Sequence, residues 1–174
     1  MIIDVKRSQR ISEASFDSLN AIVLSGRDFS PPHIGLVVSG QYFSCTAKGV
    51  KLGIPFPLMF QTFKRKKFKL IFAHLNVTFS QKDVVKEFTD YGKLESGKTC
   101  LFPVKNTIEH ATDKTFKAGF VFELLPLLKK EEILTHYSHY RLEESIVADS
   151  FNLPTYSSKE IQTCINEIQL ADEK

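Results

Sequence analysis

The sequence predicts a single α+β domain over residues 1–174, in which an antiparallel sheet packs against helices. A chain of 174 residues that is 43% hydrophobic and 25% charged is long enough to bury one core and has an ordinary globular composition. Two apolar segments joined by Ser39-Gly40 indicate a β-hairpin. A capped apolar stripe over Ser80–Tyr91 indicates an amphipathic helix. Strand and helix patterns in one chain of this size favour the α+β class.

Short apolar runs bounded by glycine or proline predict the strands of the first half of the chain. The expected strands are Ala21–Gly26, His33–Val38, Gln41–Thr46, one that starts over Val50–Leu52, and Lys69–Phe79. Arg27–Pro32 is expected to be a loop because its two prolines favour extended backbone. Lys48-Gly49 is expected to be a turn, and Pro55–Phe63 a short helix that begins with proline.

Helix-capping patterns dominate the second half. Ser80 with Asp83, and Ser157 with Glu160, have the spacing of a capping box. The segments Ser80–Tyr91, Cys100–Ile108, Glu131–Arg141 and Ser157–Leu170 are predicted helices, Gly92–Thr99 is a predicted loop and Gly119–Leu128 a predicted strand. Pro103 is compatible with the second of these helices because the first turn of a helix tolerates proline.

Composition excludes several classes of protein. A formal charge of +3 is too small to require nucleic acid or an anionic membrane as partner. No apolar run approaches the roughly 18 residues of a membrane span. Residues 1–10 lack the apolar core of a secretory signal, so we expect a cytoplasmic protein. Cys45, Cys100 and Cys164 have no spacing typical of a disulfide framework or a zinc site, and no cofactor is implied.

Polar clusters elsewhere have structural explanations that we favour. The basic run over residues 64–69 has the charge to bind phosphates, but such runs are more often solvated turns. His136 and His139 are spaced to share one face of a predicted helix, yet no third metal ligand stands near them. His74, in an apolar strand, is expected to be a hydrogen-bonded core histidine.

Residues 92–99, GKLESGKT, match the phosphate-binding pattern GxxxxGK[ST]. That loop requires a buried strand before it and a helix after it. Here the predicted helix Ser80–Tyr91 precedes the match, and Pro103 would fall inside the following helix. We therefore treat nucleotide binding through this loop as an alternative and expect the match to be fortuitous.

Cys100 and His33 form the more coherent candidate site. A cysteine attacks acyl carbon as the thiolate, which a helix N-terminus or a neighbouring imidazole stabilises. Cys100 begins a predicted helix, and His33 begins a strand after the Pro31-Pro32 loop. Ser44, or less favourably Tyr42, would orient the imidazole, because the two share one face of the return strand.

The order of these segments resembles the circularly permuted NlpC-type papain-like cysteine hydrolases. The resemblance covers about residues 20–110 and rests on HIGLVV, the SG turn, QYFSCT, KGVKL, Asp90-Tyr91-Gly92 and the helix that begins at Cys100. This group includes YiiX-like bacterial proteins, lecithin:retinol acyltransferase relatives and a poxviral family. It implies a papain-like fold, Cys100 as nucleophile and His33 as base. In relatives the third polar residue is often acidic, His or Asn, and here it falls on Ser44.

The expected function is therefore a thiol-dependent hydrolase or acyltransferase that acts on an amide, ester or thioester in a peptide, isopeptide or lipid substrate. A backbone amide near Cys100 would stabilise the oxyanion. Two alternatives stay open: a catalytically inactive binding module of the same fold, and a nucleotide-binding protein that uses residues 92–99. Residues 111–174 show no family resemblance.

Overall fold

The computed structural model describes residues 1–5, 9–95 and 97–172. Within this part of the chain the strands are β1 (Ile2–Asp4), β2 (Ala21–Gly26), β3 (His33–Val38), β4 (Gln41–Thr46), β5 (Gly49–Pro55), β6 (Lys69–Leu75), β7 (Leu134–Tyr140) and β8 (Ser150–Asn152). The helices are α1 (Phe56–Arg65), α2 (Gln81–Tyr91), α3 (Leu101–Thr112), α4 (Val121–Lys130) and α5 (Ser158–Asp172). These elements confirm the α+β class.

The main sheet has the strand order β5-β4-β3-β2-β6-β7, and each neighbouring pair is antiparallel. β1 and β8 pair separately and bring the N-terminal residues to the chain that precedes α5. The Ser39-Gly40 turn joins β3 to β4 as predicted, because both residues adopt the positive φ of a tight hairpin. β2 has no polar alternation because it lies at the centre of the sheet and both of its faces are buried.

Helices cover both faces of this sheet. The α1 face is the side on which Val23, Val37, Tyr42 and Phe72 pack against α1. The α3 face is the side on which Ile34, Leu36, Phe43 and Ile71 pack against α2, α3 and α4. Alternate residues of a strand point to opposite faces, so these two sets fix the direction of every side chain in β3 and β4.

Aromatic packing consolidates the α1 face. The Phe16 ring lies edge-on to the rings of Phe56 and Phe60, with centroid distances of 4.8 and 4.9 Å. Such pairs contribute about 0.5–1.5 kcal/mol each beyond the area that they bury. Several of the fifteen phenylalanines therefore have a structural role in this layer.

The predicted helix starts are largely correct. The Ser80 side chain accepts a hydrogen bond from the Asp83 N–H at the start of α2. Glu160 Oε2 accepts from the Ser157 N–H at 2.7 Å, and the Glu160 N–H donates to Ser157 Oγ at 3.3 Å, which completes the predicted box before α5. Cys100 is the N-cap of α3, and Pro103 lies in its first turn.

Two predictions in the last third were wrong. Gly119–Leu128 was expected to be a strand, but it contains most of α4, whose residues Val121, Leu124, Leu125 and Leu128 are buried at helical spacing. The run is apolar at nearly every position, so its helical period is hidden. The Glu123 carboxylate also caps this helix, because Oε2 accepts from two N–H groups before it at 2.8 and 3.1 Å.

Glu131–Arg141 was expected to be a helix, but it contains β7. This segment completes the edge of the sheet by pairing with β6, with Ile71 opposite His139. Threonine, tyrosine and histidine fit a half-buried strand better than a helix. The pairing partner lies more than sixty residues away, which explains why the local pattern did not identify the strand.

Candidate functional site

A small apolar cavity lies beside Cys100, where the N-terminus of α3 meets the start of β3. Its volume is about 120 Å³. Its walls are Pro31, Pro32, His33, Ile34, Leu94, Thr99, Cys100, Leu101, Gly119, Phe120, Tyr156, Ile161, Cys164 and Ile165. Most of this lining is hydrocarbon, so the cavity is suited to an apolar group rather than to an ion.

Cys100 lines this cavity and is half-buried. Sγ accepts a hydrogen bond from the Ile34 N–H at 3.4 Å, which attaches the start of α3 to the α3 face of the sheet. Burial raises the pKa of the Cys100 thiol to about 11, although the N–H groups of Ile34 and Cys100 oppose the rise. The expected lowering of this pKa by the helix N-terminus is therefore outweighed by desolvation.

His33 borders the same cavity, but its side chain leaves β3 on the other face. Ile34 packs on the α3 face, so alternation directs the neighbouring His33 to the α1 face. Burial, with added repulsion from Lys51 and Lys66, lowers the pKa of His33 to about 4. The imidazole is neutral at pH 7, and within the described residues no hydrogen bond joins it to Cys100 Sγ.

Ser44 and Tyr42 lie on the α1 face with His33, as the period of two predicted for the pair. The Tyr42 ring lies over Gly35, where a Cβ atom would come within 2.4 Å of it. Ser44 Oγ is shielded from solvent and has no hydrogen bond of good geometry in the described part of the chain. It is still near enough to the Tyr42 hydroxyl to offset part of the rise in tyrosine pKa that burial causes. The structure thus groups His33, Ser44 and Tyr42, and leaves Cys100 on the opposite face.

The GKLESGKT segment lies between α2 and α3, and Ser96 within it is outside the described residues. A helix precedes the loop, which is not the context of a phosphate-binding loop. Lys98 Nζ donates to the Tyr91 backbone oxygen at 2.8 Å and lies 5.2 Å from the centre of the Tyr91 ring. The lysine that would contact a phosphate is therefore hydrogen-bonded to the last residue of α2.

Charges in the basic run serve local contacts. Lys64 pairs with Glu13 at 3.1 Å, and Lys69 donates to Ser145 Oγ at 3.0 Å. Lys66 lies 5.8 Å from the centre of the Phe68 ring. These contacts agree with a solvated turn between α1 and β6.

His74, His136 and His139 belong to the sheet rather than to a metal site. His136 and His139 lie on β7, where a spacing of three places them on opposite faces; the prediction that they share a helix face was wrong. His74 Nε2 lies 2.7 Å from Ser138 Oγ, and its ring stacks on His136 with centroids 4.0 Å apart. Among the described residues, no group of three or more His, Cys, Asp or Glu side chains is placed to hold a metal ion.

Sequence reasoning missed the C-terminal wall of the cavity. Phe120 and Tyr156 come from the segment without family resemblance, and Ile161, Cys164 and Ile165 come from α5. Helical spacing in the last three was a usable signal, since residues at i, i+3 and i+4 share one face. No local pattern connects this face to Cys100.

No protein family model, no curated protein and no solved structure matches this chain. In the part of the chain that the structure describes, no helix is long and apolar enough to cross a membrane.

Proposed function

We propose that this domain binds a small apolar group in the cavity beside Cys100, as a non-catalytic relative of the permuted papain-like hydrolases. One observation carries the proposal: the Cys100 thiol lies in a cavity lined mostly by hydrocarbon, and no imidazole is hydrogen-bonded to it among the described residues. Burial there raises the pKa of the thiol to about 11. A thiol with a raised pKa is a small hydrophobic group with a weak hydrogen-bond capacity, and it is a poor nucleophile at neutral pH because the thiolate is the reactive form. It lines a binding cavity well and catalyses acyl transfer poorly.

The cavity volume favours a ligand fragment the size of a benzene ring or a short branched aliphatic group. An apolar cavity of about 150 Å³ binds benzene or xenon in a well-studied protein, and the cavity here is only slightly smaller, at about 120 Å³. Such a fragment would be the buried end of a larger ligand whose polar part stays in solvent. Its affinity would come from displacing apolar surface from water.

Xenon and benzene are the probes for this proposal. We expect each to shift the NMR signals of the methyl groups that line the cavity, notably those of Leu94 and Ile165, in a saturable way. Leu94→Phe fills the cavity and should abolish the shifts. Thr163→Ala, on the exposed side of α5, should leave them unchanged. Absence of a saturable shift in the wild-type protein would remove the proposal.

A thiol-dependent hydrolase or acyltransferase is the second candidate. It is favoured by the position of Cys100 at the N-cap of α3 and by His33, which borders the same cavity. The residues would act as the resemblance implies, with Cys100 as nucleophile, His33 as base and Ser44 orienting the ring. This requires the imidazole to turn around the end of β3 toward the thiol.

Hydrolysis of p-nitrophenyl acetate separates the two candidates. A hydrolase loses turnover in both Cys100→Ala and His33→Ala, and it shows a burst of one product per acylated thiol. A binding module shows the same slow background rate in the wild type and in both variants. Equal rates in all three proteins therefore support the first candidate and exclude the second for this ester.

A further inference from the structure

The C-terminal helix α5 supplies one wall of the Cys100 cavity through a narrow apolar stripe. Ile161, Cys164 and Ile165 line the cavity, and of these only Ile165 is fully buried, while the other two are half-buried. The remaining described side chains of α5 are largely exposed. α4 offers a contrast within the same layer, because four of its side chains are completely inaccessible to solvent.

Few polar contacts hold α5 to the rest of the domain. Among the hydrogen bonds of the described residues, the one that crosses from α5 to another element joins Gln162 Oε1 to the Gly97 N–H at 3.1 Å. The capping box formed by Ser157 and Glu160 is internal to the helix start and does not attach it to the sheet. Over residues 158–167, the part of α5 whose side chains the structure describes, three apolar side chains and this one hydrogen bond hold the helix to the rest of the domain.

The segment just before α5 is held more firmly. Tyr156 is buried, and its ring lies edge-on to those of Phe120 and Phe122, with centroid distances of 5.8 and 5.2 Å. The chain is thus anchored at Tyr156 and only lightly attached beyond it. Local opening in proteins occurs where few apolar contacts and few hydrogen bonds hold an element, which describes residues 158–167 of α5.

We propose that α5 is a hinged cover that controls access to Cys100 and its cavity. The closed position is the one described, in which Ile165 lines the cavity and Cys100 is half-buried. In the open position α5 turns away at its N-terminal end, near Tyr156, and increases the exposure of the thiol and of the apolar walls. This inference rests on the proposed function for its biological meaning, since an apolar ligand would enter by this route, but the motion itself does not depend on a ligand.

A second cavity shares part of its lining with the cavity beside Cys100. It is lined by residues on both sides of the α5 N-terminus, including Gly97, Phe102, Ser158 and Ile161. Phe120 and Ile161 border both cavities, so they separate the space beside Cys100 from the second cavity. Displacement of Ile161 with α5 would join the two into one groove.

Alkylation by N-ethylmaleimide, followed at each cysteine by peptide mass spectrometry, tests the cover. Ile165→Ser removes the most buried contact, and we expect it to speed Cys100 alkylation at least about tenfold, as loss of one buried aliphatic side chain implies. Thr163→Ser is the matched control, because it introduces the same residue at an exposed position of the same helix, where the side-chain hydrogen bond is internal to α5, and should leave the rate unchanged. Cys45, which lies in the core, reports on global unfolding.

Selective acceleration at Cys100 in Ile165→Ser, with Cys45 unchanged, supports the cover. An unchanged Cys100 rate overturns it, because the thiol would then be reached by another route. Parallel acceleration of Cys45 also overturns it, because α5 would then open only with the whole domain. Because no ligand takes part in the alkylation test, the two proposals can fail separately. The cover is retained if xenon and benzene do not bind, and binding of xenon and benzene is retained if α5 proves not to be a cover.

Discussion

The ionisation of the Cys100 thiol offers the sharpest test of how burial and helix position compete in this domain. With a pKa of about 11, the thiolate fraction is about 3 in 10,000 at pH 7.5 and about 3 in 100 at pH 9.5. The alkylation rate of Cys100 should therefore rise about a hundredfold over these two pH units. An ordinary thiol of pKa about 8.5 would gain only about tenfold. A thiolate activated for catalysis would gain almost nothing, because it is already ionised at pH 7.5.

Iodoacetamide labelling at half-unit steps of pH, quantified for each cysteine peptide, measures this ratio. Opening of α5 does not alter this ratio of rates, because the reactive thiolate still forms from a population of molecules that is almost entirely closed and protonated at both pH values. Cys164 is half-buried, as Cys100 is, and burial raises its pKa; it should react faster than the fully buried Cys45. Cys45, whose pKa burial raises to about 12, should react slowest. A plateau in the Cys100 rate below pH 8.5 would refute the argument from burial and restore the hydrolase as the first candidate.

Three substitutions test other parts of the site. Gly35→Ala places a Cβ within 2.4 Å of the buried Tyr42 ring and should lower the free energy of unfolding in urea by about 1–3 kcal/mol. Gly26→Ala is the control, because the nearest atom to its added Cβ lies 3.4 Å away. Equal losses of stability in the two variants would contradict this explanation. Ser44→Ala should change the free energy of unfolding by less than about 0.5 kcal/mol, because the serine hydroxyl lacks a well-formed hydrogen bond. A decrease in stability above about 1 kcal/mol would show that the hydroxyl is hydrogen-bonded. Lys98→Ala should lower the free energy of unfolding by about 0.5–1.5 kcal/mol, because it removes the hydrogen bond to the last residue of α2. ATP with magnesium should leave the melting temperature of the wild-type protein and of this variant unchanged. A nucleotide-dependent rise in the wild type that the variant abolishes would instead support a phosphate site.

Local signals in the sequence predicted the elements whose ends depend on neighbouring residues. The Ser39-Gly40 hairpin is one example, since its two residues adopt the turn conformation themselves. The caps at Ser80 and Ser157 are others, because each hydrogen bond spans three residues. Such features need no distant partner, so they can be identified before the fold is known.

The sequence predicted which residues of a strand share a face, but not which face of the sheet that is. The period of two correctly grouped Ser44 with Tyr42, and it would also have separated His33 from Ile34. What it does not state is which of the two faces the Cys100 helix covers. The hydrogen bond from the Ile34 N–H to Cys100 Sγ answers that question, and it depends on the packing of α3 against β3.

By itself, the sequence determined the α+β class, the antiparallel hairpin and the capped helices, because hydrophobic period and capping act within one element. Tertiary structure alone decided that Gly119–Leu128 is mostly helical, because an all-apolar run hides its helical period. Tertiary structure likewise decided that Glu131–Arg141 contains a strand, because the partner strand β6 is distant in the sequence. It also decided the state of Cys100. A helix N-terminus and a nearby histidine suggest a thiolate, but burial among apolar walls drawn from residues 31 to 165 raises the pKa of the thiol to about 11.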